Sequence, residues 1–244
     1  MLIINADDWG RSVAETNAAL KCFRERRITS VSAMVFMQDS NRAARLTKDY
    51  ELDDVGLHLN FSEEFTAANC PQTLKEHHRR IIKFLNSKRY AQLLYNPFLR
   101  KAFAYLYEAQ NEAFARLFGK PPSHIDGHHH MHLCANLLFS NTFPAGTRLR
   151  RNFSFWPGEK SLSNRIYRRL VDCWLARRYR LADYFFDLNQ CMEGKKLDRV
   201  AALAKSSNVE LMTHPTMNGE EEYLMSDEFE LMLRRLETGG YTLL

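Results

Sequence analysis

Residues 124–132, with the sequence HIDGHHHMH, hold five of the nine histidines of the chain. A neutral imidazole binds a divalent cation through one ring nitrogen, and two histidines with one carboxylate leave positions open for water and substrate. Consecutive side chains diverge, so His128, His129 and His130 cannot all reach one ion. We therefore expect one or two of them to bind or support a metal, while the others hold the loop or line a pocket.

Asp7 and Asp8, near the start of the chain, are a second candidate for metal binding or catalysis. Two adjacent carboxylates at a strand end repel each other unless a cation or a proton compensates, and a divalent metal is the natural compensator. One Asp can bind the metal while the other faces water or substrate. Taken alone, the pair is also typical of a surface turn or a helix N-cap. His58 and His214 are weak signals individually, because a single strand histidine is more often structural.

Apolar strands that alternate with longer helical patterns must position these residues. Such alternation predicts βα units around a parallel sheet or barrel. The polar segments follow the C-terminal ends of successive strands, the edge at which α/β proteins assemble their sites. Strands are predicted at 2–5, 30–36, 54–61, 123–126, 147–150, 183–186, 209–214 and 241–244, and helices at 13–26, from 40 onward, at 74–85 and at 97–118.

The 244 residues can form one α/β barrel or two small domains. We expect a single domain over 1–244, a distorted (β/α) barrel-like fold of about seven strands with a helical excursion at about 62–120. Hydrophobic residues make up 45% of the chain and charged residues 26%, which excludes disordered and collagen-like proteins.

Composition also bears on location and redox state. The start of the chain has no basic signal-peptide region, and no apolar run has the roughly 18 to 20 residues of a membrane helix. We therefore expect a cytoplasmic protein without a membrane span. The five cysteines form no CxxC pair, so we expect reduced thiols and neither a disulfide framework nor a cysteine zinc site.

The formal net charge of +5 comes largely from residues 165–180, which carry six arginines among aromatic residues. This pattern suits a nucleic-acid surface. It suits the solvated side of an amphipathic helix better, because Ile166, Leu170, Val171, Trp174 and Leu175 fall near helical spacing. We therefore expect these apolar residues to pack inward, and no nucleic-acid partner.

Five segments together resemble one known family. INADDWG, TSVSAMV, VGLHLN, HIDGHHHMH and ELMTHP resemble, in order and spacing, the motifs of the YdjC-like carbohydrate deacetylases, the ChbG/HpnK family. The resemblance implies a βα-barrel-like fold related to the polysaccharide deacetylases. It also implies hydrolysis of N-acetyl groups on sugars such as chitooligosaccharides with a divalent metal, usually described as magnesium.

Site residues carry over at the matching positions. The resemblance implies that Asp8, His58 and His128 bind the metal, that Asp7 is the general base and that His214 is the general acid. His124 lies early on its strand, where we expect it to pack or to form hydrogen bonds. The residues expected to orient the ligands or to line the substrate pocket are Asn60, Asp126, His129, His130, His132 and Arg150.

Departures from the family pattern concern the pocket. Trp9 replaces a usual Phe, THPT replaces HPG, and HLCANL replaces HLHP beside the metal ligands. Residues 62–96, the region that normally covers the sugar, lack much of the common pattern. The identity of the N-acetylated sugar is therefore left open.

Four further points stay open. Two histidines and one Asp favour zinc by ligand preference, whereas the resemblance favours magnesium. A metal-dependent phosphoesterase on a similar barrel is an alternative, although such sites commonly need more carboxylates. A non-catalytic metal-binding relative that uses the arginine-rich segment as a partner surface is another. Family relatives are often homodimers, so a homodimer is also possible.

Overall fold

A computed structural model describes residues 1–88, 90–217 and 219–244. The chain forms two compact units. Unit 1 comprises residues 1–7, 17–31 and 145–244, and unit 2 comprises residues 8–16 and 32–144. That the chain is a single domain over residues 1–244 stays a prediction.

The described residues contain six β-strands in the order β4-β3-β2-β1-β6-β5. The pairs β1–β6, β3–β4 and β5–β6 are parallel. Strands buried on both faces are typically near-continuous apolar runs, and every residue of β1, β2, β3, β4 and β6 is buried. The strands are β1 (Leu2–Trp9), β2 (Ser30–Ala33), β3 (Val55–Leu59), β4 (Ile125–Gly127), β5 (Tyr184–Asp187) and β6 (Val209–Thr213).

The predicted α/β class is confirmed, but the expected count of about seven strands is wrong. Residues 147–150 form only an isolated bridge between Arg148 and Arg180, because Arg180 belongs to no strand and gives the segment no partner along its length. Residues 241–244 form a 3-10 turn, Tyr241–Leu243, whose Tyr241 side chain is fully buried. Side chains anchor both segments: Arg150 donates to Asp7 and Tyr241 donates to Glu210.

The helices have clear local causes where their ends are capped. Helix α4 ends at Gly119, whose φ of 72° is a left-handed conformation that glycine adopts without strain. Helix α6 begins after Ser161, whose side chain accepts a hydrogen bond from the Asn164 amide. The α-helices are α1 (Val13–Arg24), α2 (Ser40–Asp49), α3 (Gln72–Leu85), α4 (Arg100–Phe118), α5 (Ala135–Leu138), α6 (Leu162–Leu175), α7 (Leu188–Glu193), α8 (Leu197–Ala204), α9 (Glu220–Leu224) and α10 (Asp227–Leu233). Further 3-10 turns lie at Ala91–Leu93, Pro97–Leu99 and His128–Leu133.

Each unit has its own aromatic core. In unit 2, Phe61 and Phe103 are fully buried and their ring centroids lie 5.3 Å apart. In unit 1, Phe185 is fully buried and stacks on Phe153 with a centroid distance of 4.5 Å. Large buried aromatic side chains dominate core energetics, so these pairs fix the packing within each unit.

The expected inward packing of the apolar residues of α6 is confirmed for Leu175 and wrong for Ile166, Leu170 and Trp174. Among its residues only Asp172 and Leu175 are buried, whereas Ile166, Leu170 and Trp174 are exposed. The cost of burying the charged Asp172 is offset because Arg151 and Asn152 both donate hydrogen bonds to its carboxylate. The helix therefore presents apolar side chains to solvent.

Within the described residues, no helix is both long enough and apolar enough to cross a membrane. Cys22, Cys70, Cys134 and Cys191 are buried free thiols, and Cys173 is an exposed one. Burial raises the pKa of the Cys134 thiol to about 12, so this thiol packs as an apolar group.

Candidate functional site

Three donor groups of unit 2 meet at strand ends. Asp8 lies near the end of β1, His58 lies on β3, and His128 directly follows β4. Asp8 Oδ1 is 3.4 Å from His58 Nε2 and 3.0 Å from His128 Nδ1. The three donor atoms all lie within 4.8 Å of one another, and all three side chains are buried. The structure thus brings together the three residues predicted as metal ligands.

The surroundings of Asp8 fit a cation. Burial raises the pKa of its carboxyl, but His128 and His58 together outweigh this effect and hold the pKa well below its ordinary value. Asp8 Oδ1 is buried, yet no hydrogen bond from the described residues reaches it with acceptable geometry. A divalent cation beside this oxygen could bind it together with one ring nitrogen of each histidine.

The backbone at Asp8 directs its side chain. Asp8 has a φ of 66°, in the left-handed region that Asp and Asn tolerate better than other side chains. A left-handed residue at the end of a strand breaks the regular alternation of side chains. Asp8 therefore turns toward the histidines of unit 2.

A buried hydrogen-bond chain sets the orientation of His58. His58 Nδ1 lies 2.8 Å from Asp126 Oδ1, which leaves Nε2 directed at Asp8. Ser32 Oγ donates to Asp126 Oδ2 at 2.7 Å and lies 3.0 Å from His124 Nε2. A carboxylate that fixes the tautomer of an imidazole is the usual support of a metal-binding histidine. Asp126 and His124 therefore support His58.

The backbone separates the consecutive histidines. His129 and His130 adopt φ values of 51° and 58°, both left-handed, within the 3-10 turn. His128 is buried beside Asp8, whereas His129 is exposed and its Nδ1 lies 3.0 Å from Ser62 Oγ. His132 is buried, and a Cβ on Gly127 would lie 2.9 Å from its backbone nitrogen, so the chain doubles back closely here.

Asn60 folds the loop after β3 instead of facing the three donors. Its Oδ1 accepts from the amides of Ser62 and Glu63, and its Nδ2 donates to the Glu63 carbonyl at 2.7 Å. This loop brings Glu63 Oε2 to 3.0 Å from His128 Nε2. Arg11 Nε donates to the same Oε2 at 2.9 Å. Glu63 and Arg11 are site residues that the sequence reasoning missed.

A buried ion-pair network in unit 1 holds Asp7. Arg150 is fully buried and donates to both carboxylate oxygens of Asp7 at 2.7 Å. Asn5 Nδ2 donates to Asp7 Oδ1 at 2.8 Å. The same guanidinium donates to Glu210 Oε1 at 2.7 Å, and Tyr241 donates to the other Glu210 oxygen. Arg150 therefore binds the predicted base rather than lining an open pocket.

His214 follows β6 in unit 1 and is partly exposed. Its Nε2 lies 4.0 Å from Asp7 Oδ2, beyond hydrogen-bond distance. Asp187 and Glu220 each place a carboxylate oxygen within 4.8 Å of a His214 ring nitrogen and of one another. Burial raises the pKa of Glu220 to about 7, against the hydrogen bonds that it accepts from Thr213 and the His214 amide. Burial also raises the pKa of Asp187.

Two of the missed residues carried a signal in the sequence. Asp187 directly follows the predicted strand 183–186, at the C-terminal position that indicated the other site residues. Glu210 is a charged residue inside an apolar strand, which requires a buried partner. Glu63 had no such signal, because a loop brings it to His128.

Comparison with known proteins adds the family and the fold. The family model described as YdjC-like protein matches residues 1–237. A crystal structure from Enterococcus faecalis V583, assigned as a candidate cellobiose-phosphate cleavage protein, aligns with a TM-score of 0.67. The alignment covers 98% of this chain and 97% of that one at 19% identity, which establishes a shared fold alone.

Curated relatives agree with the family model. Chitooligosaccharide deacetylases of Yersinia pestis (strain Pestoides F) and Yersinia pseudotuberculosis serotype O:1b (strain IP 31758) are each 32% identical over 174 residues. The match covers 70% of this chain but only 61% of the length of either relative. The resemblance seen in the motifs is confirmed, because the family model spans nearly the whole sequence: the chain belongs to the YdjC-like protein family.

Proposed function

We propose that the chain is a metal-dependent carbohydrate deacetylase that removes the N-acetyl group of an amino sugar or chitooligosaccharide-like substrate and releases acetate. The observation that carries this proposal is that donor atoms of Asp8, His58 and His128 lie within 4.8 Å of one another. One of them, Asp8 Oδ1, is buried and accepts no hydrogen bond from the described residues. The curated relatives named chitooligosaccharide deacetylase support the choice of substrate.

Asp8, His58 and His128 would hold the metal. When bound, a divalent metal polarises the acetamide carbonyl and lowers the pKa of a coordinated water. Two nitrogen donors and one oxygen donor favour zinc, whereas the family resemblance favours magnesium. Elemental analysis of protein purified without a His tag, followed by activity measurements after each metal is returned to the chelated protein, distinguishes the two.

Asp7 and His214 supply the proton transfers in this proposal. Asp7 takes a proton from the attacking water, and Arg150 and Asn5 keep its carboxylate in one orientation. His214 delivers a proton to the nitrogen of the leaving amine, for which its partial exposure gives access. Positioned acid and base groups of this kind typically contribute about 10² to 10⁴ in rate.

An acetate-release screen tests the proposal. N-acetylglucosamine, its oligomers and N-acetylated glycolipid head groups are incubated with the metal-loaded protein, and p-nitrophenyl phosphate serves as the counter-substrate. We expect acetate from at least one sugar and no release of p-nitrophenol. The opposite pattern would establish the phosphoesterase alternative, and the absence of both products would favour a non-catalytic relative.

Replacement of Asp7 tests the base assignment. Asp7→Asn keeps the three metal donors, so metal affinity should persist while turnover falls by about 10² to 10⁴. Isothermal titration with the metal and steady-state acetate release measure the two quantities separately. Full activity in Asp7→Asn would remove Asp7 from the mechanism, and loss of metal binding would give it a structural role instead.

A further inference from the structure

Helix α6 in unit 1 carries a row of exposed apolar side chains. Leu162, Ile166, Leu170 and Trp174 follow one another at intervals of four residues, so they lie on the same side of the helix. Their exposed fractions are 68%, 49%, 65% and 38%. We call these four residues the apolar stripe. Large apolar side chains scattered singly on a surface are ordinary, but a continuous row indicates a surface that another apolar phase covers.

Positive charge surrounds the apolar stripe. Residues 162–180 contain six arginines and one acidic residue, a net charge of +5 that equals the formal net charge of the whole chain. The acidic residue, Asp172, is already bound by Arg151. In the described ranges of the chain, Arg165, Arg169 and Arg177 have no ion-pair partner. The charge that these guanidinium groups carry is therefore left for an external anion.

A groove of about 720 Å³ adjoins the stripe within unit 1. Leu162 and Ile166 line it together with Arg165, Arg168 and Phe155. The Arg168 guanidinium lies over the Phe155 ring, with its Cζ 5.2 Å from the ring centroid. Burial lowers the pKa of Arg168, against the charge of Asp172. The groove therefore offers partly desolvated cations next to apolar side chains, a combination that suits an anionic amphiphile.

We propose that the apolar stripe and its surrounding arginines form a docking surface for an anionic phospholipid bilayer. Trp and Leu with flanking arginines are typical of helices that lie in the membrane interface. Arginine near such a surface is attracted by the negative potential of the lipid headgroups. The apolar residues would enter the headgroup boundary while Arg165, Arg169 and Arg177 bind lipid phosphates.

Other occupants fit this surface less well. A second copy of the chain would bring two segments of charge +5 against each other, because a two-fold interface uses the same patch twice. A nucleic acid would satisfy the arginines but would leave the apolar stripe against phosphates and water. An acidic protein surface has the right charge but no reason to match the regular row of four apolar residues.

Vesicle binding tests the proposal with the full chain. Vesicles of pure phosphatidylcholine are compared with vesicles that also contain phosphatidylglycerol, by co-flotation and by tryptophan fluorescence. We expect the anionic vesicles to bind at least about tenfold more protein at low salt, and we expect added salt to reduce that binding. A blue shift of the fluorescence should accompany binding, and Trp174→Phe should abolish the shift.

Variants separate the two parts of the surface. The double variant Leu162→Gln/Leu170→Gln should lower binding by about tenfold, and Arg165→Gln/Arg169→Gln should remove the preference for anionic lipid. Leu231→Gln on α10 and Arg80→Gln on α3 are matched controls, since both side chains are exposed elsewhere. All of these side chains are at least partly exposed, so we expect the variants to fold. Circular dichroism and melting temperature check this.

Several results would overturn the proposal. Equal binding of wild type and both double variants would show that another surface contacts the vesicles. No binding to anionic vesicles, combined with a dimer or a complex with an acidic protein that Leu162→Gln/Leu170→Gln disrupts, would assign the stripe to a protein interface. The test does not depend on the proposed deacetylase activity, because vesicle binding is measured without substrate.

Discussion

At the scale of single residues, orientation matters as much as identity. His58 presents Nε2 to Asp8 because its other ring nitrogen is engaged by Asp126 at 2.8 Å. Ser32 fixes the second oxygen of the same carboxylate. The tautomer and the rotation of the imidazole are thus set by Asp126 and Ser32, which are not among the three proposed metal ligands.

Asp126→Asn tests this support. The amide would place an NH₂ group against either His58 or the Ser32 hydroxyl, and each of these currently donates to the carboxylate. We expect metal affinity to fall by about 10- to 100-fold while the fold persists. Titration against a chromophoric chelator measures the affinity. Asp53→Asn, which changes an exposed carboxylate, is the control, and equal affinities in the two variants would contradict the role of Asp126.

Arg150 illustrates the cost of an incomplete buried ion pair. Its guanidinium neutralises both Asp7 and Glu210, and all three side chains are almost fully buried. Arg150→Met fills similar space but leaves two buried carboxylates without a counter-charge. We expect the free energy of unfolding to fall by about 3 to 5 kcal/mol, measured by urea denaturation.

The control for this change is Arg177→Met. Arg177 is exposed and has no ion-pair partner in the part of the chain that the structure describes, so its replacement should change stability by less than about 0.5 kcal/mol. If Arg150→Met changed the free energy of unfolding as little as Arg177→Met does, the prediction would be wrong. The two carboxylates would then tolerate burial without the arginine, for example by taking up protons.

The sequence could indicate the chemistry of these residues but not their partners. The diverging directions of consecutive side chains predicted that His128, His129 and His130 would divide their roles, and the backbone separates them. No pattern in the sequence predicted that Glu63 would contact His128, since this contact depends on how one loop folds. The roles of the site residues stay predictions until activity and metal binding are measured.

At the scale of elements, one glycine lets two strands support the site. A Cβ on Gly56 in β3 would lie 2.3 Å from the ring of His124, which precedes β4. The absence of a side chain at Gly56 therefore makes room for the imidazole that contacts Ser32. Strand β3 carries both this gap and His58 two residues later.

Gly56→Ala should disturb both stability and metal binding. The added methyl group must displace His124, because strand backbone gives little room, and overpacking of this kind typically costs about 1 to 3 kcal/mol. We also expect weaker metal affinity, since the displaced ring no longer supports Ser32 and Asp126. Thermal melting and metal titration measure the two effects.

Gly119→Ala is the matched control. It places a methyl group in open space at the end of α4, where only the left-handed backbone resists. It should cost about 1 kcal/mol and leave metal affinity unchanged. Equal metal affinities in the two glycine variants would refute the role of Gly56.

Element prediction succeeded where local signals were strong. The apolar periodicity and Gly119 predicted α4 to its last residue, and the buried apolar runs predicted the six strands. It failed where tertiary contacts decide, because a short segment such as 147–150 has strand composition without a strand partner along its length. The outward face of α6 was missed for a related reason: periodicity identifies an apolar side but not the direction in which it faces.

At the scale of the whole molecule, one buried acid predicts how stability depends on pH. Glu220 is 2% exposed and its pKa is raised from 4.5 to about 7. Between these values the folded chain keeps a proton that the unfolded chain releases. Stability from this group is therefore fully present below about pH 4.5 and is lost as the pH rises through 7, a change of about 3 kcal/mol.

Glu220→Gln should remove this dependence. Its amide oxygen can still accept from Thr213 and the His214 amide, and it carries no charge at high pH. We expect similar stabilities near pH 4.5 and a more stable variant above pH 7, measured by urea denaturation across the range. Glu222→Gln, an exposed change on the same helix, should leave the pH profile unaltered. Parallel profiles for Glu220→Gln and wild type would contradict the prediction.

The family could be inferred from the sequence because its motifs are short, ordered and spread over the whole chain. The family model covers residues 1–237 and confirms that inference. The charge of residues 162–180 was equally visible, but its meaning depends on which side of α6 is buried. The sequence therefore showed where the positive charge lies along the chain. Only the structure showed that an exposed apolar stripe lies on the same helix.

The left-handed backbone of Asp8 restricts which amino acids evolution can place there. The backbone has a φ of 66°, and the role proposed for Asp8 also requires an oxygen that can bind the metal. Asn tolerates this backbone conformation but carries no charge, and Gly tolerates it but has no side chain to bind a metal. Glu keeps the charge, but its longer side chain tolerates this conformation less well and moves the oxygen by one methylene. Few substitutions of Asp8 therefore keep both the backbone conformation and the proposed metal-binding oxygen.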